Sequence, residues 1–173
     1  MIYIYKKHLL NSILFSYLVV FFYGCSYSFT GASVPPHLKT IAIPISIDRS
    51  GSGEPDLSES FTNELINKFL DDNSLQIGER GKSDAILECT IISLDDSPQI
   101  VSQGEDVTLR RVKITVKVTY KDLVKKKTIF DRNFSNHGDY NNTGDITVDR
   151  PPAIETAIDK ITEDILLGVV SNW

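Results

Sequence analysis

The sequence predicts an α+β domain: two helices packed on one face of a four-stranded, largely antiparallel sheet, in the order β-α-β-β-β-α. Three observations predict it. Residues 108–121 alternate apolar and polar side chains along their length, the period of a half-buried strand. Residues 57–70 and the segment after Pro151-Pro152 repeat apolar residues at three- and four-residue steps, the period of a helix. Each helix then has one apolar stripe to bury, and a sheet with one apolar face offers the surface for it.

Ahead of the domain, residues 6–25 read KKHLLNSILFSYLVVFFYGC. Lys6 and Lys7 give a positive start, Leu9 to Tyr23 is apolar apart from Asn11, Ser12 and Ser16, and Gly24 and Cys25 close the run. That is the layout of a secretory signal, and an apolar run of about fifteen residues is short of the roughly 20 that a spanning helix needs. A cysteine directly after a small residue resembles the lipobox of bacterial lipoproteins, although Phe22 and Tyr23 are bulkier than that motif's usual residues. The resemblance implies a diacylglyceryl group on the Cys25 thiol and cleavage before it. Residues 1–24 are expected to be a lipoprotein signal peptide, 25–39 a lipidated tether, and 40–173 a single domain. Within the tether, Ser26–Leu38 is small, polar and Pro-rich, and Pro35-Pro36 favours extended backbone. His37 reads as a solvated loop residue.

The elements follow in order. Thr40–Ile47 (TIAIPISI) is expected to be the first strand, with Ile41, Ile43, Ile45 and Ile47 on one face. Pro44 has no N–H for the ladder, so the strand is at an edge or paired on one side there. After the turn Asp48–Pro55, Asp56 is the expected N-cap and Glu59 its capping-box partner. The helix Leu57–Leu70 carries Leu57, Phe61, Leu65, Ile66, Phe69 and Leu70. Leu75–Ile77 reads as a short extended piece. Ala85–Leu94 is the second strand, with Ala85, Leu87, Cys89 and Ile91 on one face, and Asp95–Pro98 is a turn. Thr108–Lys121 is the strongest strand, with Val112, Ile114, Val116, Val118 and Tyr120 facing the core. Arg111, Lys113, Lys117 and Lys121 line its other face as a basic ridge. Thr128–Ser135 returns as the last strand, with Arg132 on the same face as Phe130 and Phe134. Asn136–Arg150 is expected to be a polar loop, and Pro151-Pro152 the first turn of the last helix.

The chain holds 18 basic and 23 acidic residues, a net charge of −5, and loss of Lys6 and Lys7 with the signal would make it more negative. That argues against nucleic acid as a partner, which needs a basic face. Of the two cysteines, Cys25 is the expected acylation site, and Cys89 reads as a small core residue. Asp139, Asn141, Thr143, Gly144 and Asp145 approach calcium-loop spacing, but Arg150 stands where the bidentate Glu would be. No nucleophile–His–acid order and no metal-ligand cluster can be picked out, so neither catalytic residues, a metal nor a cofactor is expected.

GCSYSFTGASVPPHLKTIAIP in residues 24–44 resembles the start of LptE lipoproteins of the Bacteroidetes type, the lipopolysaccharide-assembly lipoproteins. The similarity continues through LSESFTNELINKF (57–69), LECTIISL (87–94), VKITVKVTY (112–120) and FDRNFSNHGDY (130–140). It implies a non-enzymatic outer-membrane subunit that plugs and helps assemble the LptD β-barrel and helps deliver lipopolysaccharide to the outer leaflet. It also implies basic residues near the sheet that bind lipopolysaccharide. Lipid phosphates call for Lys or Arg donors, and Arg110, Arg111, Lys113 and Lys117 lie beside the loop Ile100–Asp106. The alternative is a lipoprotein docking or auxiliary subunit of another envelope transporter or periplasmic synthase. Ser26 after Cys25, where an Asp would signal inner-membrane retention in enterobacteria, favours the outer membrane. Ser26–Ala32 lacks the acidic run of surface export, which favours a lipid-anchored, periplasm-facing location.

Overall fold

The computed structural model describes residues 34–99, 109–142 and 144–171. The elements are β1 (Thr40–Ala42), β2 (Ile47–Asp48), α1 (Leu57–Asp72), β3 (Gln76–Ile77), β4 (Ala85–Gln99), β5 (Leu109–Asp122), β6 (Lys127–Asn141) and α2 (Ile146–Val170). The α+β class and the two helices are as expected; the sheet is not four-stranded. It has six strands in the order β3-β1-β4-β5-β6, with β2 also paired to β4. It is mixed: β1 runs parallel to β3 and β4, β2 runs parallel to β4, and β4, β5 and β6 are antiparallel.

Pro44 is the physical reason for the extra strand on the N-terminal side. Without an N–H it interrupts the ladder, and Thr40–Ile47 becomes two pieces along β4. The expected face of four isoleucines is lost with it. Ile41 is buried, but Ile45 and Ile47 are 75% and 53% exposed. Ser46 turns inward instead: its N–H donates to Thr62 Oγ1 at 3.0 Å and its hydroxyl to the Ser58 carbonyl at 3.0 Å.

The central hairpins are longer than the residue pattern suggests. β4 passes through the expected turn at Asp95–Pro98, and β6 runs into the expected loop as far as Asn141. A bulge between Ile91 and Ser93 switches the alternation of β4. Before it, Ala85, Leu87, Cys89 and Ile91 face the helices; after it, Leu94, Asp96 and Pro98 lie opposite Ile114, Val112 and Arg110. On β6, Phe130, Arg132, Phe134, Asn136, Gly138 and Tyr140 face the helices, opposite Tyr120, Val118, Val116, Ile114, Val112 and Arg110.

α1 buries Leu57, Phe61, Leu65 and Phe69, whereas Leu70 is outside the stripe and exposed. The expected capping box is absent. Asp56 is left-handed (φ 57°) and its side chain makes no capping bond. The helix ends at left-handed Asn73, whose N–H reaches the Phe69 carbonyl at 3.0 Å. α2 starts five residues before Pro151, with Asp145 Oδ1 accepting the Thr147 N–H at 2.9 Å. The prolines therefore fall in its second turn, where their missing N–H groups leave the Thr147 and Val148 carbonyls without helical donors.

α2 lies along β6. A Cβ added to Gly138 would come within 2.0 Å of the Ala153 carbonyl oxygen, and one added to Gly168 within 2.9 Å of the Phe134 ring. Both helices cover one sheet face and share a single core with it, including Phe61, Leu65, Phe69, Tyr120, Ile161 and Ile165. Arg132, inward-facing on β6, is held between Phe130 and Phe134, its guanidinium carbon 4.6 and 4.7 Å from the two ring centres.

Candidate functional site

The face of the sheet turned away from the helices is the surface the fold leaves open. Arg111, Lys113, Lys117 and Lys121 alternate along β5 with the buried residues, so the expected ridge is present as a row. It is not a free cationic row. Arg111 forks onto Asp139 at 2.6 and 2.8 Å, Lys121 reaches Glu88 at 2.6 Å, and Lys117 stands 3.4 Å from Asp131. The carboxylates come from the neighbouring strands, whose register sets Asp139 opposite Arg111. The Arg111 guanidinium holds the Asp139 carboxyl below the usual carboxylate range. Lys113 differs. It is exposed between Asp95 and His137 in the ladder, and among the described residues it has no ion-pair partner.

Arg110 points the other way, into a polar cluster at the end of the helix–sheet interface. Its Nε donates to Asp96 Oδ1 at 2.9 Å and to the Tyr140 hydroxyl at 3.0 Å. Asp96 also accepts from the Tyr140 hydroxyl at 2.9 Å and from Arg150 Nε at 3.1 Å, and Arg150 Nη1 pairs with Glu54. Five segments of the chain meet here. The sequence reading missed the cluster because it placed Asp96 in a turn and Tyr140 and Arg150 in a loop. The signal was Arg110 itself, which falls on the apolar face of an otherwise regular strand.

The four candidate cations therefore divide. Arg111, Lys113 and Lys117 share the open face, while Arg110 is structural in its contacts. The loop 100–106 and Cys25 lie outside the described residues. Beside Lys117, Pro44, Ile45, Ile47 and Ile92 border a hollow of about 460 Å³ with Arg49 and Arg80 at its rim. It includes the stretch that joins β1 to β2.

The remaining candidates of the sequence have definite surroundings. His37 is not a free loop residue: its Nε2 lies 2.7 Å from Asp122 Oδ2. Leu38 beside it is buried. Lys39 N–H, Thr40 N–H and Thr40 Oγ1 all donate to Asp84 Oδ2, at 2.9, 3.0 and 3.0 Å. Those bonds hold the Asp84 carboxyl below its ordinary range. His137 is on β6 rather than in a loop. Cys89 is buried, and burial pushes its thiol up to about 12. Asp139 is engaged by Arg111 and Asp145 caps α2. Among the described residues there is no group of three or more His, Cys, Asp or Glu placed to hold a metal ion, and no helix long and apolar enough to cross a membrane.

Comparison with solved structures shows the same fold elsewhere. Protein XCC0632 of Xanthomonas campestris superposes with a TM-score of 0.59 at 12% identity, over 78% of this chain and 86% of that one. A minor lipoprotein of Acinetobacter baumannii gives 0.53 at 13% identity, over 78% and 94%. The rare lipoprotein B of Shewanella oneidensis gives 0.50 at 13% identity, over 75% and 94%. No curated protein matches in sequence. The family model described as LptE, lipopolysaccharide-assembly, matches residues 38–168, which takes in all six strands, α1 and α2 as far as Gly168. The chain belongs to the LptE family.

Proposed function

We propose that this chain is a lipid-anchored outer-membrane protein, acylated at Cys25 and facing the periplasm. In this reading it plugs and helps assemble an LptD-like β-barrel and assists the passage of lipopolysaccharide to the outer leaflet. Family membership across residues 38–168 is the observation that carries the reading. The open sheet face adds a physical argument. The interior of an outer-membrane barrel is polar, and a face of cross-strand ion pairs with Lys113 among them suits such surroundings better than lipid.

Lipopolysaccharide phosphates would be met first by Lys113, whose ammonium has no carboxylate partner among the described residues. Arg111 and Lys117 would bind by exchanging Asp139 and Asp131 for phosphate oxygens. Arg110, tied into its cluster, contributes by fixing the end of the hairpin that carries them. The test is co-purification. Detergent extraction is expected to yield a stoichiometric pair with a large β-barrel, in the outer-membrane fraction of a sucrose gradient. A monodisperse free protein, with the barrel unaffected by its depletion, would overturn the proposal.

A further inference from the structure

The β5–β6 hairpin ends in a tip of unusual composition. Leu123 and Val124 are 37% and 56% exposed, and Lys125, Lys126 and Lys127 follow them, all exposed. Hairpin tips are ordinarily polar; two large apolar groups beside three lysines make a small amphipathic surface. Among the described residues the three lysines have no carboxylate partner, in contrast to the paired cations of the sheet face. The nearby acids are already engaged. Asp122 accepts from Lys125 N–H at 2.8 Å and contacts His37, Asp84 is bound by Lys39 and Thr40, and Glu79 pairs with Lys82. Lys39, also exposed, adds a further cation at this end.

The tip stands where the N-terminal segment joins the domain. His37 contacts Asp122 at the base of the tip, and Leu123 N–H donates to the carbonyl of Asp84, the residue that holds Lys39 and Thr40. Cys25 precedes Val34 by nine residues, a reach of at most about 30 Å. An anchor at Cys25 therefore keeps this end within reach of the bilayer.

We propose that the tip Leu123–Lys127 docks on an anionic phospholipid surface, with Leu123 and Val124 entering the headgroup boundary and the lysines meeting phosphates. This rests on acylation of Cys25 for its geometry. One acyl anchor plus a polybasic patch is a two-signal membrane attachment, and each lysine near an anionic surface strengthens binding about fivefold. The docked tip would fix the orientation of the domain above the membrane.

The test uses the intact protein with Val124→Cys carrying an environment-sensitive fluorophore. The control is the same label at Val148→Cys, exposed on the first turn of α2 at the opposite end. Cys89 is buried and an acylated Cys25 has no free thiol, so neither competes for label; where Cys25 is unacylated, it is replaced by Ser in every labelled variant. The protein is reconstituted into vesicles of 70% phosphatidylcholine and 30% phosphatidylglycerol, or of phosphatidylcholine alone. The expected result is a blue shift, and quenching by lipid-borne quencher, at position 124 but not 148, in the anionic vesicles. Lys125→Glu/Lys126→Glu/Lys127→Glu should abolish the 124 signal while the protein still floats with the vesicles. Equal responses at 124 and 148, an unshifted 124 probe, or a 124 probe shielded only when a partner protein is added would overturn the proposal. Acylation is read separately, from flotation and intact mass. If the protein is unacylated, it is added to the preformed vesicles. A 124 signal specific to phosphatidylglycerol then still supports the tip, and its absence overturns it.

Discussion

Gly138 of β6 and Ala153 of α2 are in backbone contact: a Cβ on Gly138 would lie 2.0 Å from the Ala153 carbonyl oxygen. The obstacle is main chain, so no rotamer change relieves it. Gly138→Ala must displace α2 from the sheet. The expected cost is about 3 kcal/mol, with a fall in Tm of roughly 6–12 °C in thermal unfolding. Gly81→Ala, at an open position with positive φ, is the comparison, and should cost about 1 kcal/mol.

Asp96 holds two arginines, Arg110 and Arg150, from two different elements. Asp96→Asn is expected to destabilise by about 1–3 kcal/mol, less than for a fully buried pair because these side chains keep some solvent. A double-mutant cycle with Arg150→Gln, read by urea denaturation, should give a coupling of about 1 kcal/mol. Additive effects would mean that the cluster is not cooperative.

The carboxyls of Asp84 and Asp122 are both depressed. Asp84 is lowered by the Lys39 and Thr40 donors; at Asp122, burial works upward but is outweighed by His37 and by the Lys125 N–H. A carboxyl depressed in the fold adds stability that is present above its unfolded value, about 3.9, and lost as pH falls through its folded value. The urea midpoint should therefore drop as pH falls below about 4. Asp84→Asn should lower the midpoint at pH 7 and flatten that acid limb.

On the open face, Lys113→Glu should weaken binding to purified lipopolysaccharide by about tenfold while Tm moves by only a few degrees, because the side chain is exposed and has no ion-pair partner among the described residues. Arg111→Glu with Lys113→Glu should weaken it further, and here some stability should also be lost, since a carboxylate at position 111 would face Asp139. Binding unchanged in both variants would return the row to a purely structural, solvated role.

Arg132→Leu tests the aromatic sandwich. Phe130 and Phe134 lose the cation between them, at an expected cost of about 1–2 kcal/mol in denaturant unfolding. Arg132→Lys should recover only part of this, because an ammonium lacks the planar surface that stacks against two rings.

The repeats of buried side chains were legible in the sequence: β5, the first half of β4 and the stripes of both helices all follow from periodicity. The ends of the hairpins were not. Residues 95–99 and 136–141 are polar, and polar residues read as loops unless it is known that β5 extends the ladder alongside them. The split at Pro44 was half legible. A proline requires a missing ladder bond, but only the position of β4 decides that the chain resumes as β2. The Asp56 cap failed because Ser58 and Thr62 are tied to Ser46, which brings the chain into α1 from a direction the local motif does not encode. On the open face, the row of cations was visible and the pairing of Arg111, Lys117 and Lys121 was not, since their carboxylate partners among the described residues lie on other strands.

The mixed pairing of β4 has a consequence for the order in which the fold is built. β4, β5 and β6 are consecutive hairpins, so their contacts close short loops and can form early. β1 leaves the ribosome before all of them, yet its clasp to Asp84 spans 44 residues, with α1 in between. Until β4 exists, the N-terminal strand has only the two residues of β3 to pair with. If folding follows translocation across a membrane, the first described strand to emerge is among the last to be secured, and the N-terminal strand is the one that ties β3 to the rest of the sheet.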